Sequence, residues 1–181
     1  MNAKKHPWIP RNEWTEHPRF PSQVLLLGSH ANFRNVSEYL VEHARKDAQP
    51  ARLESLYRRW ISAMRSHESY EESKLYPYLA RRWDTSFAPA EEGHHALHEA
   101  HANVLEAFEG LDNPSDDQRA RDTLVDALSE HDRVLASHLE LEEDMVIPLL
   151  LELEPDEFDT YCNSSIRTLM ARLDAQDVWG S

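Results

Sequence analysis

His67-Glu-Ser-Tyr-Glu71-Glu72-Ser-Lys-Leu-Tyr-Pro77-Tyr-Leu79 and His138-Leu-Glu-Leu-Glu142-Glu143-Asp-Met-Val-Ile-Pro148-Leu-Leu150 are one phrase written twice. The copies are offset by 71 residues, since 138 − 67, 142 − 71, 148 − 77 and 150 − 79 all give that number. The same offset applied upstream lays His30-Ala31-Asn32 on His101-Ala102-Asn103. It also carries Leu26 onto Leu97, Leu40 onto Leu111, Leu53 onto Leu124 and Ser66 onto Ser137 without a gap. Self-similarity of this kind signals one supersecondary unit used twice and packed against itself.

Each half reads as a histidine, 36 residues, then His-x3-Glu. Residues four apart on an α-helix lie one above the other, so His67 with Glu71, and His138 with Glu142, each offer a nitrogen and an oxygen toward one point. With His30 and His101 they make four imidazoles and two carboxylates, a ligand set for two metal ions. A lone His-x3-Glu pair on a helix surface is commonplace and contributes only about 0.2–0.5 kcal/mol. Six residues recurring in register beside apolar stripes are a different case. Burying two carboxylates in a helical core is strongly unfavourable unless a cation or paired donors offset it. Imidazole and carboxylate donors without thiolate suit iron or manganese, with zinc admitted by affinity alone.

The composition sets the frame. At 181 residues the chain is long enough to bury a core without staples. Only 4 Gly against 10 Pro, with abundant Leu, Ala, Glu and Arg, is the composition of helices joined by short proline-marked turns, so an all-α fold is expected. A formal net charge of −14 argues against nucleic acid and acidic lipid as partners. The single Cys162 excludes a disulfide within the chain, no apolar run is long enough to span a membrane, and residues 1–23 lack the apolar core of a signal peptide. A reducing cytoplasm is the expected location. The 11 His have no packing reason in an acidic helical protein.

Residues 1–23 hold Pro7, Pro10, Pro18 and Pro21 with Trp8 and Trp14, which predicts an extended arm whose tryptophans lie against the body. A first helix is predicted from Ser22 to Asp47 with Leu26, Phe33, Val36, Leu40 and Ala44 inward and His30 beside them. A second follows from Ala51 to Arg82, carrying His67 and Glu71 and kinked or broken by Pro77, with Pro148 repeating the kink in the other half. A third runs from just after Pro89 to Gly110, and a fourth from Asp116 to Leu151 with Ser115 as its N-cap. Pro155-Asp156-Glu157 opens a fifth, with Phe158, Tyr161, Leu169, Met170 and Leu173 on one face. The expected architecture is an up-down-up-down four-helix bundle over residues 24–154, with the arm 1–23 before it and a C-terminal helix and tail, 155–181, after it.

The paired blocks, over roughly residues 24–151, resemble the hemerythrin-like or HHE cation-binding family. Its hallmark is His, His-x3-Glu, His, His-x3-Glu on four bundled helices around a non-haem di-iron centre. The resemblance implies two irons per chain, with His30, His67, His101 and His138 as terminal ligands and Glu71 and Glu142 as bridges. It implies binding or sensing of dioxygen, nitric oxide, peroxide or a related redox species more than turnover. The short Trp/Pro arm departs from members that repair iron centres, which often carry a cysteine-bearing N-terminal domain.

The third helix offers several histidines. The repeat favours His101, while oxygen-carrying relatives use a His-x3-His pair there that His94 and His98 match. His94 and His101 are about 10 Å apart along a helix axis and should not serve one compact centre together. The order of preference is His101, His98, His94, with His95 pointing away. Glu72 and Glu143 are expected to be solvated or to accept a ligand histidine's N–H. Glu68 is expected on a solvated face, Tyr70 and Tyr76 in packing, and Cys162 as a half-buried thiol. Two other functions compete: a ferritin-like di-iron oxidase, which needs Glu-x2-His as in Glu91-x2-His94, and a metal-dependent protein-interaction module in which metal loss loosens the arm or the last helix.

Overall fold

The computed structural model describes residues 8–20, 22–46, 49–111 and 117–162, and among these there is no strand. Six helices follow in order: α1 (Leu26–Arg45), α2 (Pro50–Tyr70), α3 (Tyr76–Trp83), α4 (Ala88–Gly110), α5 (Asp117–Leu151) and α6 (Pro155–Tyr161). The chain forms the expected all-α bundle. The α1 helix packs on α2 and α5, and α4 packs on α5 and α2, so four long arms close a ring. His30, early in α1, meets His67, late in α2, which requires the two to run antiparallel.

The inward stripes are those that the sequence spacing predicts. Leu26, Phe33, Val36, Leu40 and Ala44 of α1 are buried with His30, and Leu53, Leu56, Trp60, Ala63 and Met64 of α2 with His67. A stripe recurring at three- and four-residue steps must face the core, and the histidines ride on it.

The break expected near Pro77 takes a definite form. Between α2 and α3 the chain makes a π-helical turn, Glu71–Leu75, before resuming as α3 with Pro77 in its first turn. Proline has no N–H to donate and its ring clashes with the carbonyl four residues back, and a widened turn removes both conflicts. The same turn begins at Glu71, so the residue that matters most for chemistry sits where the helix changes pitch. Pro148 does not repeat this. The α5 helix runs through it to Leu151, because only three residues remain and no register has to be recovered.

The N-terminal segment is not extended throughout. Residues Arg11–Glu16 form a 3-10 turn that buries Trp14, whose indole N–H donates to the Ile9 carbonyl at 2.9 Å. The prolines at 10 and 18 flank this window rather than interrupt it, which leaves it free to coil. Trp14 lies against the bundle as expected, whereas Trp8 is exposed. The segment also closes the end of α5. Arg19 donates to the carbonyls of Leu151 and Leu153 at 3.2 and 2.6 Å, and Gln23 to those of Leu150 and Leu153 at 2.5 and 3.1 Å. These carbonyls lie at and just past the helix end, where intrahelical donors run out, and that of Leu150 also accepts from the Leu153 N–H at 3.2 Å. Arg19→Ala is therefore expected to lower stability by about 1.5 kcal/mol, the worth of a charge-assisted hydrogen bond, read from chemical denaturation.

The last helix starts at Pro155 as predicted and buries Phe158 and Tyr161, the latter pairing its hydroxyl with that of Tyr70 at 2.6 Å. The expected continuation through Leu169, Met170 and Leu173, and the Ser115 cap, lie outside the described residues. No helix among the described residues is long and apolar enough to cross a membrane.

Candidate metal centre

Two groups of three side chains meet at the heart of the bundle. The donor atoms of His30, His67 and Glu71 lie within 4.8 Å of one another, as do those of His94, His138 and Glu142, and all six residues are buried. Each carboxylate belongs to its own helix pair yet reaches across. His67 Nε2 is 2.6 Å from Glu71 Oε1, while the other oxygen of Glu71 is 3.5 Å from His94 Nε2. Glu142 Oε2 is 3.6 Å from His138 Nε2 and 3.4 Å from His30 Nε2. Each of four helical arms supplies at least one donor to one shared space.

The outer edges of two of the four imidazoles are satisfied by protein, whereas Nδ1 of His67 and of His138 is buried without a hydrogen-bond partner. His30 Nδ1 faces Glu143 Oε1 at 3.0 Å, and His94 Nδ1 faces Glu72 Oε1 at 2.8 Å. A carboxylate beside Nδ1 holds a proton there and turns Nε2 inward, the nitrogen whose lone pair a metal would take in place of a proton. Inside, partners are missing. Both oxygens of Glu71, Oε2 of Glu142 and Nε2 of His94 are buried without a well-formed hydrogen bond. His30 Nε2 and His67 Nε2 stand 3.2 Å apart. Buried polar atoms are nearly always paired, and a converging set of acceptors is what a cation supplies with a partner. The residues fit a metal centre.

The electrostatics carry the same strain. Burial alone would raise Glu71, but the charge of His67 and the approach of His30, His67 and His94 hold it well below the ordinary carboxylate range. Burial and the charge of Glu71 push Glu142 up, since two carboxylates in one dry pocket cannot both be charged. Burial would lower His30, yet its contacts with Glu143 and Glu71 raise it to about 9, and His94 behaves likewise through Glu71 and Glu72. His138, which lacks a carboxylate behind it, is pushed down to about 3 by burial and the neighbouring His94. Tyr76 donates its hydroxyl to Glu142 Oε1 at 2.7 Å, so it contacts the site as well as packing on Phe87.

A hemerythrin HHE cation-binding domain model matches residues 24–150. The chain belongs to that family. No curated protein and no solved structure matches it. Within this HHE domain the structure brings His30, His67, Glu71, His138 and Glu142 together, and on α4 it brings His94.

His101, preferred from the repeat, is not in the group. It packs on Tyr57, with Nδ1 3.0 Å from the hydroxyl and ring centroids 5.4 Å apart. Burial and the charge of Arg65 lower it to about 4. The reason is hairpin length. From His30 to His67 the offset is 67 − 30 = 37, whereas level with His138 the chain must supply 138 − 94 = 44. Seven extra residues lengthen each arm of the α4–α5 hairpin by about one turn, so the residue at the right height comes two turns before His101. His98 is half exposed and pairs with Glu68 at 2.8 Å, away from the centre. Glu68 itself is buried rather than solvated, because it accepts from that histidine. Glu72 and Glu143 do accept histidine N–H groups, and Cys162 is fully rather than half buried.

Three contributors escaped the sequence reading. Gly93 lets α4 approach the His138 ring, since a Cβ there would fall 2.3 Å from Nδ1. Its signal was available: one of only 4 Gly in the chain stands inside a helix immediately before a histidine. Arg11 and Arg34, which hold Glu143, left no local signal, because both are distant from it in sequence.

Proposed function

We propose that this HHE domain holds two irons between its paired His-His-Glu groups and binds or senses a small redox-active molecule, dioxygen, nitric oxide or peroxide. The observation that carries the reading is the mutual reach of the two carboxylates, with Glu71 beside His94 and Glu142 beside His30. A carboxylate that serves both groups is suited to bridging two ions rather than serving one. Iron held by these residues would supply a redox-active Lewis acid for a small diatomic molecule.

The protein's own residues do the rest. His30, His67, His94 and His138 would each present a ring nitrogen to the metals, with Glu143 and Glu72 holding the outward Nδ1 protons of His30 and His94. Phe33, stacked edge-on against His67 at 5.1 Å, and the apolar stripe around it keep bulk water from the centre. Tyr76 donates its hydroxyl to Glu142 Oε1 and so would orient that carboxylate's other oxygen toward the metals. The ferritin-like alternative is disfavoured by Glu91, which the Glu-x2-His pattern needs and which is exposed.

Anaerobic purification with metal analysis and optical titration tests the reading. Two irons per chain and absorption bands that change on adding dioxygen or nitric oxide are expected. A folded protein that takes up no more than one ion, or whose bands ignore both gases, would remove it.

A further inference from the structure

The two halves of the centre are backed very differently. Glu72, behind His94, has a side chain 47 % exposed, and no arginine pairs with it among the described residues. Glu143, behind His30, is 3 % exposed and held from two sides. Arg34 of α1 donates to Oε1 at 2.7 Å, the oxygen that also faces His30 Nδ1, and Arg11 of the N-terminal turn donates to Oε2 at 2.6 Å. Arg11 is itself fixed. Its Nη2 donates to the Glu140 carbonyl at 2.9 Å, its Nε to Asp144 at 3.1 Å, and its guanidinium lies 4.7 Å over the ring of the buried Trp14. Three acceptors on adjacent turns of α5 are thus read by one planar fork, a match that a lysine cannot make.

We propose that Arg11 is a positioning residue of the metal centre. With Arg34 it locks Glu143 against His30, so that docking of the N-terminal segment sets the metal affinity of the His30–His67–Glu71 half and leaves the His94–His138–Glu142 half alone. The inference rests on the two-metal reading above. A carboxylate that is free to rotate orients its histidine poorly, and its loss typically costs 10- to 100-fold in metal affinity. Glu143 clamped by two guanidiniums cannot rotate; Glu72 in solvent can. The coupling is also reciprocal, so a metal bound at His30 must hold the N-terminal segment more firmly.

The test titrates ferrous iron anaerobically into wild type, Arg11→Gln, Arg11→Lys and Arg34→Gln, with Arg133→Gln at an exposed surface pair as control. Hydrogen exchange of residues 9–16 is followed with and without metal. In Arg11→Gln one of the two binding steps should weaken by about 10-fold, the low end for partners of metal-ligating histidines, with the other unchanged. Arg11→Lys should fall between, Arg133→Gln should match wild type, and Glu72→Gln should weaken the opposite step. Metal should slow exchange of residues 9–16 in wild type and not in Arg11→Gln. If Arg11→Gln loosens the segment but leaves both binding steps as in wild type, the arginine merely anchors and the proposal is wrong. Failure of the underlying reading looks different: Glu71→Gln would then take up metal as wild type does.

Discussion

Glu142→Gln is expected to abolish two-metal binding while the metal-free fold survives. The amide has the carboxylate's shape, and its carbonyl can still accept the Tyr76 hydroxyl that reaches Oε1 at 2.7 Å. What disappears is the negative charge that faces His30 and His138. In the metal-free protein that charge is a burden, since burial and the nearby Glu71 already push Glu142 up. Replacing it by a neutral group of equal size therefore removes little from metal-free stability. With metal the outcome reverses. A ligand at 100 times its dissociation constant stabilises a fold by about 2.7 kcal/mol, which for a chain of this length is roughly 5–10 °C in melting temperature. Thermal unfolding with and without ferrous iron should show that increment in wild type and almost none in Glu142→Gln. An undiminished increment, with two ions still bound, would mean that Glu142 does not bridge.

Most of the fold could be read before the structure because the signals are local. Leu26, Phe33, Val36 and Leu40 recur at helical steps, and His67 with Glu71 or His138 with Glu142 are neighbours on one face whatever surrounds them. Five of the six converging residues came from that logic. The sixth depended on a non-local quantity, the height at which α4 stands against α5. A repeat in sequence preserves which face a residue occupies but not its level along the bundle once one hairpin is a turn longer per arm. His94 and His101 are two turns apart on almost the same face, so only packing distinguishes them. The N-terminal turn failed for a related reason: its prolines forbid helix at their own positions, whereas Trp14 and Arg11 gain from folding onto α5 only because α5 is there. Pro77 and Pro148 make the same point, one producing a π turn and the other none, according to how much helix follows.

Gly93→Ala should destabilise the protein, against the ordinary rule. Within an exposed stretch of helix, alanine is favoured over glycine by about 1 kcal/mol, since glycine loses more backbone freedom on folding. Gly28 in α1 meets that rule: a Cβ there would find nothing within 4 Å, and Gly28→Ala is expected to be stabilising or neutral. At Gly93 the new Cβ would lie 3.1 Å from His138 Cγ and 2.3 Å from its Nδ1, the latter more than an ångström inside the 3.4 Å at which ordinary contact begins. The ring has no room to yield. His138 is buried and meets His94 edge-on at 4.7 Å, with Nε2 turned toward Glu142. Either the ring swings off the centre or α4 is pushed from α5, and overpacking of this kind costs about 1–3 kcal/mol. Both responses pull a donor out of the His94–His138–Glu142 group, so Gly93→Ala should also lose one of the two metals. Denaturation of Gly93→Ala and Gly28→Ala side by side, with metal analysis of each, separates this from a general helix effect. Equal stabilities and equal metal content would show that the glycine is incidental and that α4 approaches His138 for some other reason.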